Sequence, residues 1–104
     1  MSEIHQGEIL CLEKPETYIL VLSRDFFNRT GMTVVCPLTE CASGDALHIA
    51  VASEKYNGTA LLEQLRSIDL RARHFRKISE ISMNQIQDIS DAVQGIFEYY
   101  PLLL

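Results

Sequence analysis

The positive charge of this chain is unevenly placed. Of its nine Lys and Arg residues, five fall in one stretch, Arg66, Arg71, Arg73, Arg76 and Lys77, opposed within it only by Asp69. If these side chains point the same way, they form a basic face suited to phosphate or to an acidic peptide; the plainer reading is a solvated surface with local ion pairs. His48 and His74 invite roles as general bases, because a neutral imidazole titrates near physiological pH, whereas His5 precedes the first expected strand. The three cysteines, Cys11, Cys36 and Cys41, cannot all pair and form no C-x-x-C. They read as free thiols, with Cys11 and Cys36 in the core, and neither a disulfide nor a zinc site is expected.

These groups must be positioned by a single domain over residues 1–104, because a chain of 104 residues supports one core and not two. A hydrophobic fraction of 47% with 22% charged residues is that of a folded globular protein. The net charge of -5 argues against a general polyanion binder, so the distribution of charge matters more than its sum. No apolar run reaches the roughly 20 residues that a bilayer requires, and the first residues lack the basic-then-apolar order of a signal peptide. A cytoplasmic protein with no membrane partner is expected. The tail Tyr99 to Leu104 is apolar but short, and is expected to pack on the barrel or a partner, or to hang loose.

Short elements follow at close spacing. Gly7 to Leu12 reads as a first strand; after Pro15, Thr17 to Ser23 reads as a central strand, apolar on both faces. Arg24 to Gly31 suits a helical turn leading into a third strand, Met32 to Cys36, closed by Pro37. Leu47, Ile49 and Val51 alternate with small or polar residues in a fourth strand, and Asn57-Gly58 is the tight-turn signal that joins it to Thr59 to Leu62. Arg66 to Asp69 and Phe75 to Ile78 are further short strands, with Leu70 to His74 turning between them. Met83, Ile86, Ile89, Val93 and Phe97 follow helical steps, so an amphipathic helix is expected over about 80–98, capped by Ser82 in a box with Gln85 or by Ser79. The class is mainly β (α+β): a small antiparallel barrel, which removes exposed strand edges, with one C-terminal helix.

In order and spacing these elements resemble the MazF/PemK/Kid toxins of type II toxin–antitoxin systems, in the CcdB/MazF superfamily. Gln6-Gly7-Glu8-Ile9 is similar to the family's opening R-G-E-I. Ile19-Leu20-Val21-Leu22-Ser23 followed by Phe27-Asn28 resembles P-V-L-V-I-S…F-N, and Val34-Val35-Cys36-Pro37-Leu38-Thr39 resembles V-V-V-P-I-T-S. Gln64-Leu65-Arg66-Ser67-Ile68-Asp69 continues the match against Q-[PIV]-R-[TS]-I-D, as does Ile78-Ser79-Glu80…Met83.

The resemblance implies an SH3-like barrel, a homodimer, a cognate antitoxin, and cleavage of single-stranded RNA (mRNA) by attack of its own 2′-OH without a metal or other cofactor. That chemistry needs an acceptor for the 2′ proton, support for the leaving 5′ oxygen, and donors for the charged phosphorane; an arginine fork suits the last. The resemblance aligns Thr39 with the family's catalytic threonine and Glu63 with its acid, while neither His48 nor His74 falls on a family catalytic position. It also has a gap. The family's loop between the first two strands, G-x-E-Q-x-G-x-R-P, carries an arginine; here Cys11 to Tyr18 is shorter, Thr17-Tyr18 aligns with R-P, and Leu61 replaces a second arginine. Lys14, Arg24 and Arg66 are the candidate substitutes, and Arg66, Arg71 and Arg73 the expected contacts for RNA or antitoxin. The gap leaves two alternatives open: a CcdB-type gyrase poison, or a catalytically silent relative that binds an antitoxin.

Overall fold

The computed structural model describes residues 3–40 and 45–97. Cys41 and the expected tail Tyr99 to Leu104 lie outside the described residues. Seven antiparallel strands build a half-barrel: β1 (Glu8–Glu13), β2 (Glu16–Val21), β3 (Met32–Thr39), β4 (His48–Ala52), β5 (Asn57–Leu61), β6 (Arg66–Asp69) and β7 (Phe75–Glu80). A short helix α1 (Asp25–Asn28) joins β2 to β3, and helix α2 (Met83–Phe97) follows β7. The sheet order is β4-β5-β3-β2-β1-β7, with β6 also paired to β3.

Strand β3 is the hub. It pairs with β2 along one edge, while on its other edge β6 takes Met32 to Val35 and β5 takes Leu38 and Thr39. Pro37 therefore does not close the strand as its sequence suggests. It falls between the β6 and β5 pairings, where a missing N–H costs no ladder bond.

The central strands are buried on both faces, which explains their lack of polar alternation. Ile9, Leu20, Cys36, Leu38 and Ala60 join one cluster with Ile81 and Ile89, the latter the buried residue of α2. Leu10, Leu12, Ile19, Val21 and Val35 join a second cluster on the opposite face, with Ile68 and Leu70. Cys11 and Cys36 are buried and free, as expected of core thiols.

The joint between β2 and β3 is held by Asn28. Its Nδ2 donates to the carbonyls of Ile4 (3.0 Å) and Ser23 (3.1 Å), while its Oδ1 accepts from the Ser23 hydroxyl. Ser23 Oγ accepts in turn from the Val34 amide at 2.9 Å. This buried network satisfies every partner and fixes where β3 begins.

Helix α2 starts at Met83, not near residue 80, and Ser82 is its cap: Ser82 Oγ accepts from the Gln85 amide at 3.3 Å. The Gln85 side chain does not complete the box. Its Nε2 donates to the Ala52 carbonyl (2.8 Å) and its Oε1 accepts from the Ala52 amide (2.9 Å), clamping the helix to the outermost strand β4.

Asn57-Gly58 is not the turn between β4 and β5. Ala52 pairs with Asn57, and the turn is Ser53 to Tyr56, where the Ser53 amide donates to the Tyr56 carbonyl at 2.8 Å and the Tyr56 amide to Ser53 Oγ at 3.0 Å. Gly58 lies inside β5 because of what surrounds it. A Cβ there would stand 2.7 Å from the Thr39 carbonyl oxygen and 2.7 Å from the Tyr56 hydroxyl.

Candidate active site

Thr39 is the last residue of β3 and pairs with Thr59 of β5. His48 opens β4 and pairs with Leu61 of β5. Because side chains alternate along a strand, Thr39, Thr59, Leu61 and His48 share one sheet face, with β5 between the first and the last. Strand spacing and rise put the Thr39 and His48 Cα atoms on the order of 12 Å apart across that face.

Glu63 follows β5 in a 3₁₀ turn, Leu62–Gln64. Its Oε2 lies 2.5 Å from Nε2 of His48, and the other ring nitrogen, Nδ1, lies 3.1 Å from Oδ2 of Asp45. Asp45 is anchored by its Oδ1, which accepts the amides of Leu47 and His48, both at 3.0 Å. The result is a carboxylate–imidazole–carboxylate chain on the face that carries Thr39. Sequence reasoning singled out Glu63 but set His48 aside. The missing signal was the register of the β4–β5 hairpin, which depends on the true turn.

The charge of Glu63 also reaches inward. Burial pushes the Cys36 thiol up to about 12, and the nearby Glu63 carboxylate adds to that rise, while the Leu61 backbone N–H opposes it. Cys36 is therefore a neutral, inert thiol beneath the site, not a nucleophile.

Two of the candidate cations stand at this end. Lys14 forms, with Pro15, the tip of the β1–β2 hairpin, beyond the Glu13–Glu16 pair; the Lys14–Pro15 peptide is cis. Two residues past the last β2–β3 pair, Ile19 with Pro37, lie Thr17 and Thr39, so the hairpin tip is at the Thr39 end of the sheet. Arg66 pairs with Val35 and shares the Thr39 face, one strand over and roughly 14 Å away between Cα atoms. Neither Lys14 nor Arg66 makes an ion pair among the described residues.

The remaining candidates are elsewhere. Thr33, Arg71 and Arg73 line a cavity of about 580 Å³ floored by Leu70 and Phe75, at the other end of β3, roughly 20 Å from Thr39 by strand rise. Arg71 forks onto Asp69, at 3.0 and 3.1 Å. Arg24, before α1, lies over the Phe26 ring at 5.4 Å. The stretch 66–77 is thus no single basic face. Arg76 meets Glu13 (3.5 Å) and Glu16 (3.6 Å), Lys77 meets Glu8 (3.2 Å), and Arg71 is neutralised by Asp69. Alternation along β7 and the intervening turn scatter the charges. Of the other histidines, His74 contributes its carbonyl to the Glu13 amide and His5 binds Asp25. Among the described residues, no three His, Cys, Asp or Glu side chains converge to hold a metal ion, and no helix is long and apolar enough to cross a membrane.

Comparison with known proteins agrees with this architecture. Residues 13–97 match the model of a family described as the PemK-like, MazF-like toxin of type II toxin–antitoxin systems. The chain is 29% identical over 84 residues to the endoribonuclease toxin ChpB of Escherichia coli (strain K12), covering 76% of this chain and 72% of that protein. Its fold superposes on a MazE–MazF complex from Deinococcus radiodurans with a TM-score of 0.83 at 22% identity, over 93% of this chain and 98% of that one. It superposes on a mycobacterial endoribonuclease in complex with its cognate antitoxin with a TM-score of 0.80 at 14% identity, over 94% and 99% of the two chains. The half-barrel with its terminal helix is therefore a fold that MazF-type structures share, and a match spanning most of the sequence shows that this chain belongs to the PemK-like, MazF-like toxins of type II toxin–antitoxin systems.

Proposed function

We propose that this toxin acts as an endoribonuclease on single-stranded RNA, with Thr39 and Glu63 at its centre. The observation that carries the reading is that the face bearing Thr39 also bears Glu63, held against His48 at 2.5 Å. A hydroxyl donor and a proton acceptor thus share one surface. The relative from Escherichia coli is itself an endoribonuclease toxin. In the reaction the 2′ oxygen attacks the adjacent phosphorus, Glu63 accepts its proton, and the Thr39 hydroxyl donates to a non-bridging oxygen of the phosphorane. Lys14 and Arg66 supply positive charge in place of the family's loop arginine. Unpaired RNA fits because its backbone and bases are open to such a face.

The partners follow from the same kinship. A cognate antitoxin would cover this surface with an acidic segment that orders as it binds, and two copies of the toxin would form the active body. The neighbours solved with MazE, or with a cognate antitoxin, support that assembly.

The test is cleavage of RNA by purified, antitoxin-free protein in EDTA, with new 5′-hydroxyl ends mapped. Thr39→Ala is expected to lower the rate by about 10²–10³-fold, as loss of one oxyanion donor does, with an unchanged melting temperature. Folded wild-type protein that cuts no RNA would end the reading. That outcome would favour the silent relative, a second reading motivated by Thr17 standing where the family carries its arginine. Growth arrest without cut RNA would direct attention to gyrase.

A further inference from the structure

His48 is not among the residues that the family resemblance assigns, yet it is held at both ring nitrogens. Nδ1 faces Asp45 Oδ2 at 3.1 Å and Nε2 faces Glu63 Oε2 at 2.5 Å. An ionised carboxylate only accepts hydrogen bonds, so both contacts are made together when each ring nitrogen carries a proton. The two carboxylates are not equivalent. Asp45 is pinned by the amides of Leu47 and His48, and so fixes the ring through Nδ1. Glu63, on a 3₁₀ turn, accepts no amide among the described residues and is held only by His48; although Asp45 is the more exposed carboxylate, at 59% against 39%, Glu63 is the partner able to swing away. That leaves Nε2–H as a proton that can be given up on the Thr39 face.

We propose that His48 is the general acid of RNA cleavage, delivering its Nε2 proton to the leaving 5′ oxygen. The proposal rests on the endoribonuclease reading above. As the O2′–P bond forms, the 2′ proton passes to the Glu63 carboxylate; as the P–O5′ bond breaks, the electron pair leaves with O5′, which takes the proton from Nε2. The products are a 2′,3′-cyclic phosphate and a 5′-hydroxyl end. Glu63 then holds one proton and His48 lacks one. When the product leaves and the two side chains meet again, the Nε2···Oε2 contact returns the proton, and the starting state is restored without help from solvent. Until it gives up that proton, the imidazolium also supplies positive charge to the phosphate, on a face whose hairpin carries no arginine.

The experiment compares two RNA oligonucleotides that differ only at the mapped cleavage point, one with the natural 5′ oxygen and one with a bridging 5′ sulfur, whose thiolate leaves without needing a proton. His48→Asn is expected to lose about 10²-fold or more on the oxygen substrate and less than about 10-fold on the sulfur substrate. In the wild type, the fall in rate at alkaline pH is expected to be steep with oxygen and less than about 10-fold with sulfur, where only the imidazolium's charge is lost. Equal losses on both substrates, or the same alkaline limb on both, would overturn the proposal. The wild-type pH comparison decides the matter alone if His48→Asn melts below the wild type. A wild type that cuts neither substrate overturns the endoribonuclease reading instead.

Discussion

Gly58 sets the spacing of the site at the level of a single residue. With a side chain at this position, β5 would be pushed off both the Thr39 carbonyl and the Tyr56 hydroxyl, each 2.7 Å from the Cβ position. Neither neighbour gives way easily, since one is backbone and the other belongs to a ring stacked on Tyr18 at 4.9 Å. Gly58→Ala is expected to cost about 1–3 kcal/mol, the usual range for overpacking, and to lower cleavage beyond the loss of folded protein; urea unfolding and specific activity check the two. At the opposite end, His5 Nδ1 meets Asp25 Oδ2 at 2.7 Å, and that hydrogen bond is the main cause that raises the His5 pKa above its ordinary 6.5 and lowers that of Asp25 below 3.8. The raised His5 contributes stability that is present below 6.5 and lost as pH rises through its folded value; the lowered Asp25 contributes stability above 3.8 that is lost as pH falls. His5→Gln is therefore expected to lower the melting temperature near pH 5 and to leave it nearly unchanged near pH 8.5.

At the scale of elements, helix α2 does two jobs. It buries Ile89 in the core, and through Gln85 it supplies to β4 a donor and an acceptor that no further strand provides. β4 carries His48, so this clamp helps to hold the imidazole in place. Gln85→Ala is expected to speed amide exchange at Ala52 selectively, with little change in global stability, because an exposed edge hydrogen bond is lost and water replaces it. Ser82→Ala should instead lower global stability by about 1 kcal/mol, the usual value of an N-cap. Amide exchange read by NMR separates the two outcomes.

Across the whole molecule, the acidity of the chain is matched by how its cations are spent. Arg29, Arg71, Arg76 and Lys77 each face a carboxylate, which leaves Lys14 and Arg66 as the unpaired cations at the Thr39 end among the described residues. RNA that binds across this end should therefore release few counterions. With about two phosphates neutralised at about -0.7 per phosphate, the slope of log affinity against log salt is expected near -1.4 for the Thr39→Ala protein. A slope near -4 would mean that the whole 66–77 stretch reaches the RNA.

Local order sufficed for much of this protein. Alternation in Leu47 to Ala52, the two-faced apolar run before Ser23, and the three- and four-residue steps from Met83 to Phe97 determined the strands, the central position of β2 and the helix, because burial acts on patterns of side chains that the chain carries everywhere. Thr39 and Glu63 entered as candidates through the family resemblance, not through these patterns. Tertiary structure decided what depends on register and on opposing surfaces. Read as a two-residue turn, Asn57-Gly58 would carry His48 well past Glu63; the turn at Ser53 to Tyr56 places His48 across from Leu61 and within reach of that carboxylate. Pro37 stays in its strand because its missing N–H faces a gap between two partners, and the 66–77 cations part company because the adjacent β7 residues Arg76 and Lys77 point to opposite faces and meet different carboxylates of β1 and β2. Pairings between distant strands leave no local trace in composition or spacing, and the candidate groups on the Thr39 face are brought together only by such pairings.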